Sequence, residues 1–364
     1  MDGLSLHAFN GLSGAHMARI PCESASWSDV INESGSLSAT VPYSAIDLDA
    51  IARPYYTILA VIGFGRVLHA GYLLQAKNNR DSKSRQFTAG GGLSVLKKRL
   101  VINYNLYSRW KDGTVVVDED NPSGDWPFTV TGSYSDLISK LIRETLKWGA
   151  LPIVPAELTG GNKTRTYNSY DFDRVDDRIS DIGKLEAGPE YRFDPQVSAD
   201  GFLSFRQVTS ADGGEIVDNH WQWNATIPES GVVMGDEDAD GEEMCTQCFG
   251  VGGKSDDSIV VARTISGKLT AEGWPVLQIA NTEHSSVSNV ATLKSFTAAD
   301  TAAGDNPQKT IGVQVDMRRY AVHVGDWADV RVGPAPDDVL KLKVTNVSGN
   351  ASSAMLQLQC RERV

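Results

Sequence analysis

The chain has 364 residues, with 34 basic and 46 acidic side chains for a formal net charge of −12, and a composition 41% hydrophobic and 22% charged. That length accommodates two or three domains with sizeable cores, and the lack of any low-complexity tract excludes a fibrous or largely disordered protein. The acidic excess, relieved only by the short cluster Lys97-Lys98-Arg99, excludes sequence-independent binding to nucleic acid, although acidic walls would suit a passage through which DNA slides without sticking.

The opening residues carry neither a basic start nor an apolar stretch, so no secretory signal is read there. Strand signals follow. Leu37 to Pro42 and Thr57 to Gln75 are β-branched and apolar, and the second predicts two strands turning at Gly63-Phe64-Gly65. Its most apolar run, Ile58 to Phe64, is far too short to span a membrane. Leu137, Ile138, Leu141, Ile142 and Leu146 recur at helical spacing, with Ser133 or Ser135 as N-cap and Gly149 at the exit. A second helix is predicted from Arg174 to Ala187 on Val175, Ile179, Ile182 and Leu185, and Gly188-Pro189 stops it. Ser198 to Gly201 reads as a tight hairpin turn, because glycine tolerates positive φ.

The segment from Gly235 to Glu243 sets Asp236, Asp238 and Asp240 at alternate positions before Gly241, which matches the start of a calcium loop. Position twelve, however, is Gln247 rather than a bidentate Glu. Calcium is therefore a candidate ligand for these three carboxylates, with a solvated acidic turn as the alternative. Cys245 and Cys248 form a C-x-x-C pair without the second pair a zinc site needs, and they read as structural thiols. Four scattered cysteines (Cys22, Cys245, Cys248 and Cys360) make no disulfide framework, which places synthesis and folding in a reducing cytoplasm. Gly250 to Gly253 lacks nucleotide-loop spacing and reads as a flexible loop. A third helix is predicted from about Ser286 to Ala302.

The last forty residues are the cleanest β region. Ala328, Val330 and Val332 alternate with polar neighbours, as do Leu356, Leu358 and Cys360. With the strand between them, this predicts a three-stranded antiparallel meander belonging to a small barrel.

No catalytic set emerges. His7, His16, His69, His220, His284 and His323 are dispersed, and no nucleophile-elbow, phosphate-loop or dinucleotide fingerprint is present. Trp221 and Trp223 share one strand face, where they could stack on a sugar or pack as a core or interface pair. Tyr55, Tyr56, Trp110 and Trp126 join them as candidate interface anchors.

Several blocks together resemble minor tail proteins from siphophages of actinobacteria. They are WSDVINESGSLSATVP (Trp27 to Pro42), RPYYTILAV, RVLHAGYLL, GGGLSVLKKRL, DDRISDIGKLEAGPEYRFDPQVSADGFLSF, and the closing GDWADVRV, LKLKVTNVSGN and LQLQCRER. They run in order from about residue 20 to the C-terminus. The resemblance is to the tail-hub family and implies a β-rich α+β protein of two small antiparallel β-barrel modules with a mixed helical insertion. It implies a structural role in the virion, at the tail tip. Copies would assemble as a ring, usually a trimer, on the tail tube or a distal tail protein. Other tip proteins and the tape-measure protein would be neighbours, with DNA met only in transit, no membrane span and no enzymatic activity. The expected division is 1–105 for the first barrel, 106–190 for the insertion, 191–305 for a β-rich middle, and 306–364 completing the second barrel. A chain that stops at Val364, straight after a strand, would be a hub without a peptidase or lysozyme extension. The alternatives are a receptor- or carbohydrate-binding tip protein and, with no residue in its favour, a cell-wall hydrolase.

Overall fold

The computed structural model describes residues 3–43, 48–110, 126–255, 258–282 and 287–363. The first elements are β1 (Leu4–Asn10), β2 (His16–Ile20), β3 (Ser24–Val30), β4 (Ser36–Pro42), the single turn α1 (Leu48–Ile51), β5 (Thr57–Gly63), β6 (Arg66–Asn79) and β7 (Ser84–Gly90). Between β5 and β6 the expected turn is in place. Phe64 (φ 51°) and Gly65 (φ 77°) both lie in the left-handed region, as a two-residue hairpin turn requires.

A mixed segment follows: β8 (Pro127–Gly132), α2 (Tyr134–Lys147), β9 (Ile153–Val154), β10 (Lys163–Asn168), α3 (Val175–Gly183), β11 (Tyr191–Val197) and β12 (Leu203–Thr209). The Ser133 hydroxyl accepts from the Asp136 amide at 3.0 Å and caps α2, whose buried stripe is Leu137, Ile138, Leu141 and Ile142. Helix α3 ends earlier than its periodicity predicts. The chain folds back on itself here, and a Cβ on Gly188 would lie 2.4 Å from the Gly183 carbonyl oxygen. Strands β11 and β12 form the predicted hairpin, with Gly201 at φ 81°.

The remaining elements are β13 (His220–Asn224), β14 (Val232–Asp240), β15 (Gln247–Ser255), β16 (Ser258–Ile265), α4 (Gly267–Ala271), β17 (Gln278–Asn281), α5 (Val290–Ala303), β18 (Gln308–Asp316), β19 (Trp327–Arg331), β20 (Val339–Asn350) and β21 (Met355–Glu362). The third predicted helix is thus α5, and its expected first residue, Ser286, lies outside the described residues, as does His284. The segment read as a flexible glycine loop is instead strand β15. Glycine is needed there because helix α5 and its approach press on the strand: a Cβ on Gly250 would meet Thr297 at 2.5 Å, and one on Gly252 would meet the Val287 carbonyl at 2.4 Å.

The predicted meander is present, with β19, β20 and β21 paired antiparallel. Its inward set Ala328, Val330, Leu356, Leu358 and Cys360 is buried. Val332 falls beyond the end of β19 and is exposed. The chain is β-rich α+β as expected, but its two β regions are not separate closed barrels. Antiparallel β3 and β20 join them into one 13-stranded sheet in the order β14-β18-β21-β20-β3-β4-β7-β6-β5-β1-β2, with β19 on β20 and β13 on β19. The pairing runs from β14 to β2 without returning on itself.

Two cores sandwich part of this sheet. Leu6, Leu37, Phe87, Val313 and Leu358 belong to one; Phe9, Ile58, Ala60 and Tyr72 pack on the other, against Leu137, Ile179 and Phe205. Two-sided burial explains why residues 58–62 are apolar throughout instead of alternating.

Candidate assembly surfaces

Strands β14 and β18 leave the large sheet as a two-stranded ribbon. Between them in sequence lies a small module in which the sheet β16-β15-β17 packs on α5. The carboxylates Asp236, Asp238 and Asp240 sit on this ribbon, in a strand and not in the predicted loop. A bulge between Met234 and Glu237 precedes Asp238↔Thr310 and Asp240↔Gln308, and residues 235–240 are all exposed. Alternate positions on an extended strand stand about 7 Å apart and do not converge on one cation. Among the described residues no group of three or more His, Cys, Asp and Glu side chains is placed to hold a metal ion. What the ribbon presents is a row of negative charge, answered by Lys309 3.8 Å from Glu237.

In the module, Cys245 and Cys248 are buried free thiols, as the structural reading expected. The Cys248 Sγ lies 3.5 Å from an Asp300 carboxylate oxygen, which also accepts from the Asn281 side-chain amide at 2.9 Å. Burial, followed by the Asp300 charge, pushes the Cys248 thiol up to about 12. A thiol so held is not a nucleophile at neutral pH.

Trp221 and Trp223 stack with centroids 6.2 Å apart, and Tyr320 meets both edge-on. Trp223 is only 3% exposed, and the Trp221 indole donates to Asp326 at 2.9 Å. The pair is part of the core and offers no open platform for a sugar. Tyr55 packs against the second core with Lys98 5.8 Å from its ring centre, while exposed Tyr56 carries the Arg53 guanidinium at 3.9 Å.

A larger aromatic cluster, exposed only at its two ends, lies elsewhere, on the mixed segment. Tyr107, Tyr104, Trp148, Trp110, Trp126 and Tyr170 form a chain of rings, each 5.3–6.2 Å from the next. Tyr107 is 60% exposed at one end and Tyr170 50% at the other. Of the anchor candidates, Trp110 and Trp126 stand in the middle of this ridge. Tyr104, Tyr107 and Trp110 stand three residues apart on one segment, a spacing that could have signalled part of the ridge, whereas Trp148 and Tyr170 join it from elsewhere in the chain.

Sequence reading also missed a charge cluster. Lys343 of β20 is fully buried, with its ammonium 2.5 Å from Glu190 and 3.1 Å from Glu215. Arg361 reaches both carboxylates, and the Trp327 indole donates to Glu215 at 3.2 Å. Nearby, Arg192 bonds Asp194, Asp218 and the Val324 carbonyl. These contacts clamp the start of β11 and the segment after β12 onto the large sheet. In sequence, Lys343 looks like any outward-facing strand lysine, because its partners lie more than a hundred residues away. No helix among the described residues is long and apolar enough to cross a membrane.

No protein-family model and no characterised sequence matches the chain. Comparison of folds is informative. A tail protein from Neisseria meningitidis MC58 superposes with a TM-score of 0.55 at 12% identity, covering 99% of this chain and 97% of that one. The 43 kDa tail protein of prophage MuSo2 from Shewanella oneidensis gives 0.54 at 10% identity, covering 99% and 98%. At such identities likeness speaks for the fold, and here it runs the length of both chains. The chain has the fold of phage tail proteins.

Proposed function

We propose that the chain is a structural component of a phage tail tip, a hub that assembles as a homotrimeric ring at the distal end of a siphophage tail tube. Residues 1–105 meet the tube or a distal tail protein, and 306–364 complete the second half of the ring's β framework. The ring joins the tube to the other tip proteins and surrounds the channel through which the tape-measure protein and then DNA leave. Its work is done by interfaces rather than by catalysis. The observation that supports this reading is the superposition on two tail proteins over 99% of this chain. An acidic lumen wall would repel the DNA backbone and let it pass. Light scattering and electron microscopy of the purified chain test it: a trimer with a central hole is expected, binding one end of tail tubes. A chain that neither forms rings nor caps tubes overturns it, and clearing of host cell walls in a zymogram would replace it with a hydrolase.

One observation favours a second reading, recognition of a host glycan: the exposed rings of Tyr107 and Tyr170 at the two ends of the aromatic ridge. Rings of this kind stack on the apolar face of a sugar. On that reading Tyr107→Ala abolishes retention on host cell-wall polysaccharide while leaving the unfolding midpoint unchanged. Equal retention of variant and wild type would dismiss it.

A further inference from the structure

The module carried by the β14–β18 ribbon has a sheet with two unlike faces. Cys248, Gly250 and Ala262 turn inward and pack beneath α5 with Leu293, Phe296 and Thr297. The register pairs Val251 with Val261, Phe249 with Arg263 and Gln247 with Ile265, so these residues share the opposite face. No helix or strand of the described residues covers that face. Ile259 is 51% exposed, Val261 57% and Ile265 49%, and Phe249 lies under the Arg263 guanidinium at 5.7 Å.

The amino-acid pattern argues against a face made for water. Solvated antiparallel sheets alternate apolar with polar, whereas Ser258–Ile265 runs Ile-Val-Val-Ala before its only charge. Near-continuous apolar strands are those buried on both sides. The strand is also an edge of its sheet and carries no lysine or proline to keep it from associating, its ladder having a single bulge, on the β15 side between Val251 and Lys254. Something covers this face in the working state.

Charge selects the occupant. Arg263 is the one charge among the side chains described on the face, so a two-fold contact centred on it would bring two guanidiniums together. A head-to-tail contact avoids this, and such a contact can close into a ring. The chain supplies the complementary surface: the exposed acidic ribbon with Asp236, Asp238 and Asp240. We propose that the outer face of the β16-β15-β17 sheet docks on a second copy of this chain, with Arg263 set against the neighbour's acidic ribbon. This deepens the hub reading and rests on it, since it names the contact that would hold the ring.

The test uses the full chain and sedimentation velocity over a range of concentrations. Val261→Asp puts a carboxylate into the contact without touching the module's core, and is expected to raise the dissociation constant roughly 30-fold or more. Arg263→Glu is expected to weaken assembly as well, and adding Asp238→Arg and Asp240→Arg to that variant to restore it. Circular dichroism should match wild type throughout, as should thermal midpoints taken below the wild-type dissociation constant, where assembly adds nothing to stability. A wild-type ring that persists unchanged in Val261→Asp overturns this contact and leaves the hub reading standing. A wild-type chain that stays monomeric also overturns it, and tube capping then decides separately whether the hub reading survives. Weakening by Arg263→Glu without rescue by the ribbon reversals removes the ribbon as the docking partner.

Discussion

Lys343→Ala is expected to destabilise the folded chain by about 3–5 kcal/mol, read as a lower denaturant midpoint at unchanged slope. The wild-type ammonium has no exposed surface and bonds Glu190 through both carboxylate oxygens, at 2.7 and 2.5 Å. Removing it strands two carboxylates in a half-buried setting with Arg361 as their remaining cation. Lys343→Met combined with Glu190→Gln should recover a good part of the loss, because it removes an orphaned charge together with its partner. A single variant no less stable than wild type would show that the cluster is solvated and contributes little.

The same cluster sets an acid response. Burial tends to raise the Glu215 carboxyl, but the hydrogen bond and charge of Lys343, the Arg361 charge and the Trp327 indole outweigh it and hold the group below its ordinary value. A carboxyl with a folded-state pKa below its unfolded one contributes stability that is complete above the unfolded pKa. That contribution is lost as pH falls through the folded pKa. Without Lys343 the carboxyl loses the larger part of what lowers it. The gap between wild type and Lys343→Ala should therefore narrow below about pH 4. A gap that stays constant into acid would assign the loss to packing alone.

Trp223→Ala is expected to cost about 3–5 kcal/mol, the usual price of emptying a large aromatic site in a packed core. Its ring is wedged between Trp221 and Tyr320, 6.2 and 5.8 Å away, at the edge of the larger core. Trp221→Ala should cost less, since that ring is only partly buried and its main loss is the bond to Asp326. Loss of near-ultraviolet dichroism should accompany the Trp223 change. If the midpoint does not move and only a binding activity disappears, the residue is a ligand platform and its burial has been misjudged.

How much of this was legible in the residues depended on whether an element buries one face. The C-terminal meander and α2 each bury one face or stripe, so Ala328, Val330, Leu356 and Leu358, or Leu137 and Leu141, announce the period. The ribbon strand β14 has no buried face beyond Met234, and without a face there is no period to read. Its extended conformation comes from backbone pairing with β18, to which aspartates are indifferent. The glycines of β15 disguised a strand because what they accommodate, α5 and the segment leading into it, lies forty residues on. That the two β regions share one sheet was unreadable for a related reason. Alternation tells a strand which way its side chains point, not which strand it pairs with, and the joining of β3 to β20 is invisible in either segment alone. The Lys343 cluster, and the joining of Trp148 and Tyr170 to the ring run of Tyr104, Tyr107 and Trp110, are likewise products of tertiary convergence.

That joining has a consequence for how the protein is made. The Ser28 and Asn346 side chains that meet across β3 and β20 are separated by 318 positions, so translation has long since passed the first half of the sheet before the other half exists. Until then β3 is an unpaired edge, and contacts so distant in sequence are among the slowest to form. A nascent chain should therefore depend on chaperones for most of its synthesis. A copy truncated before β20 would lack the strand that joins the two halves of the sheet and would keep β3 as an open edge.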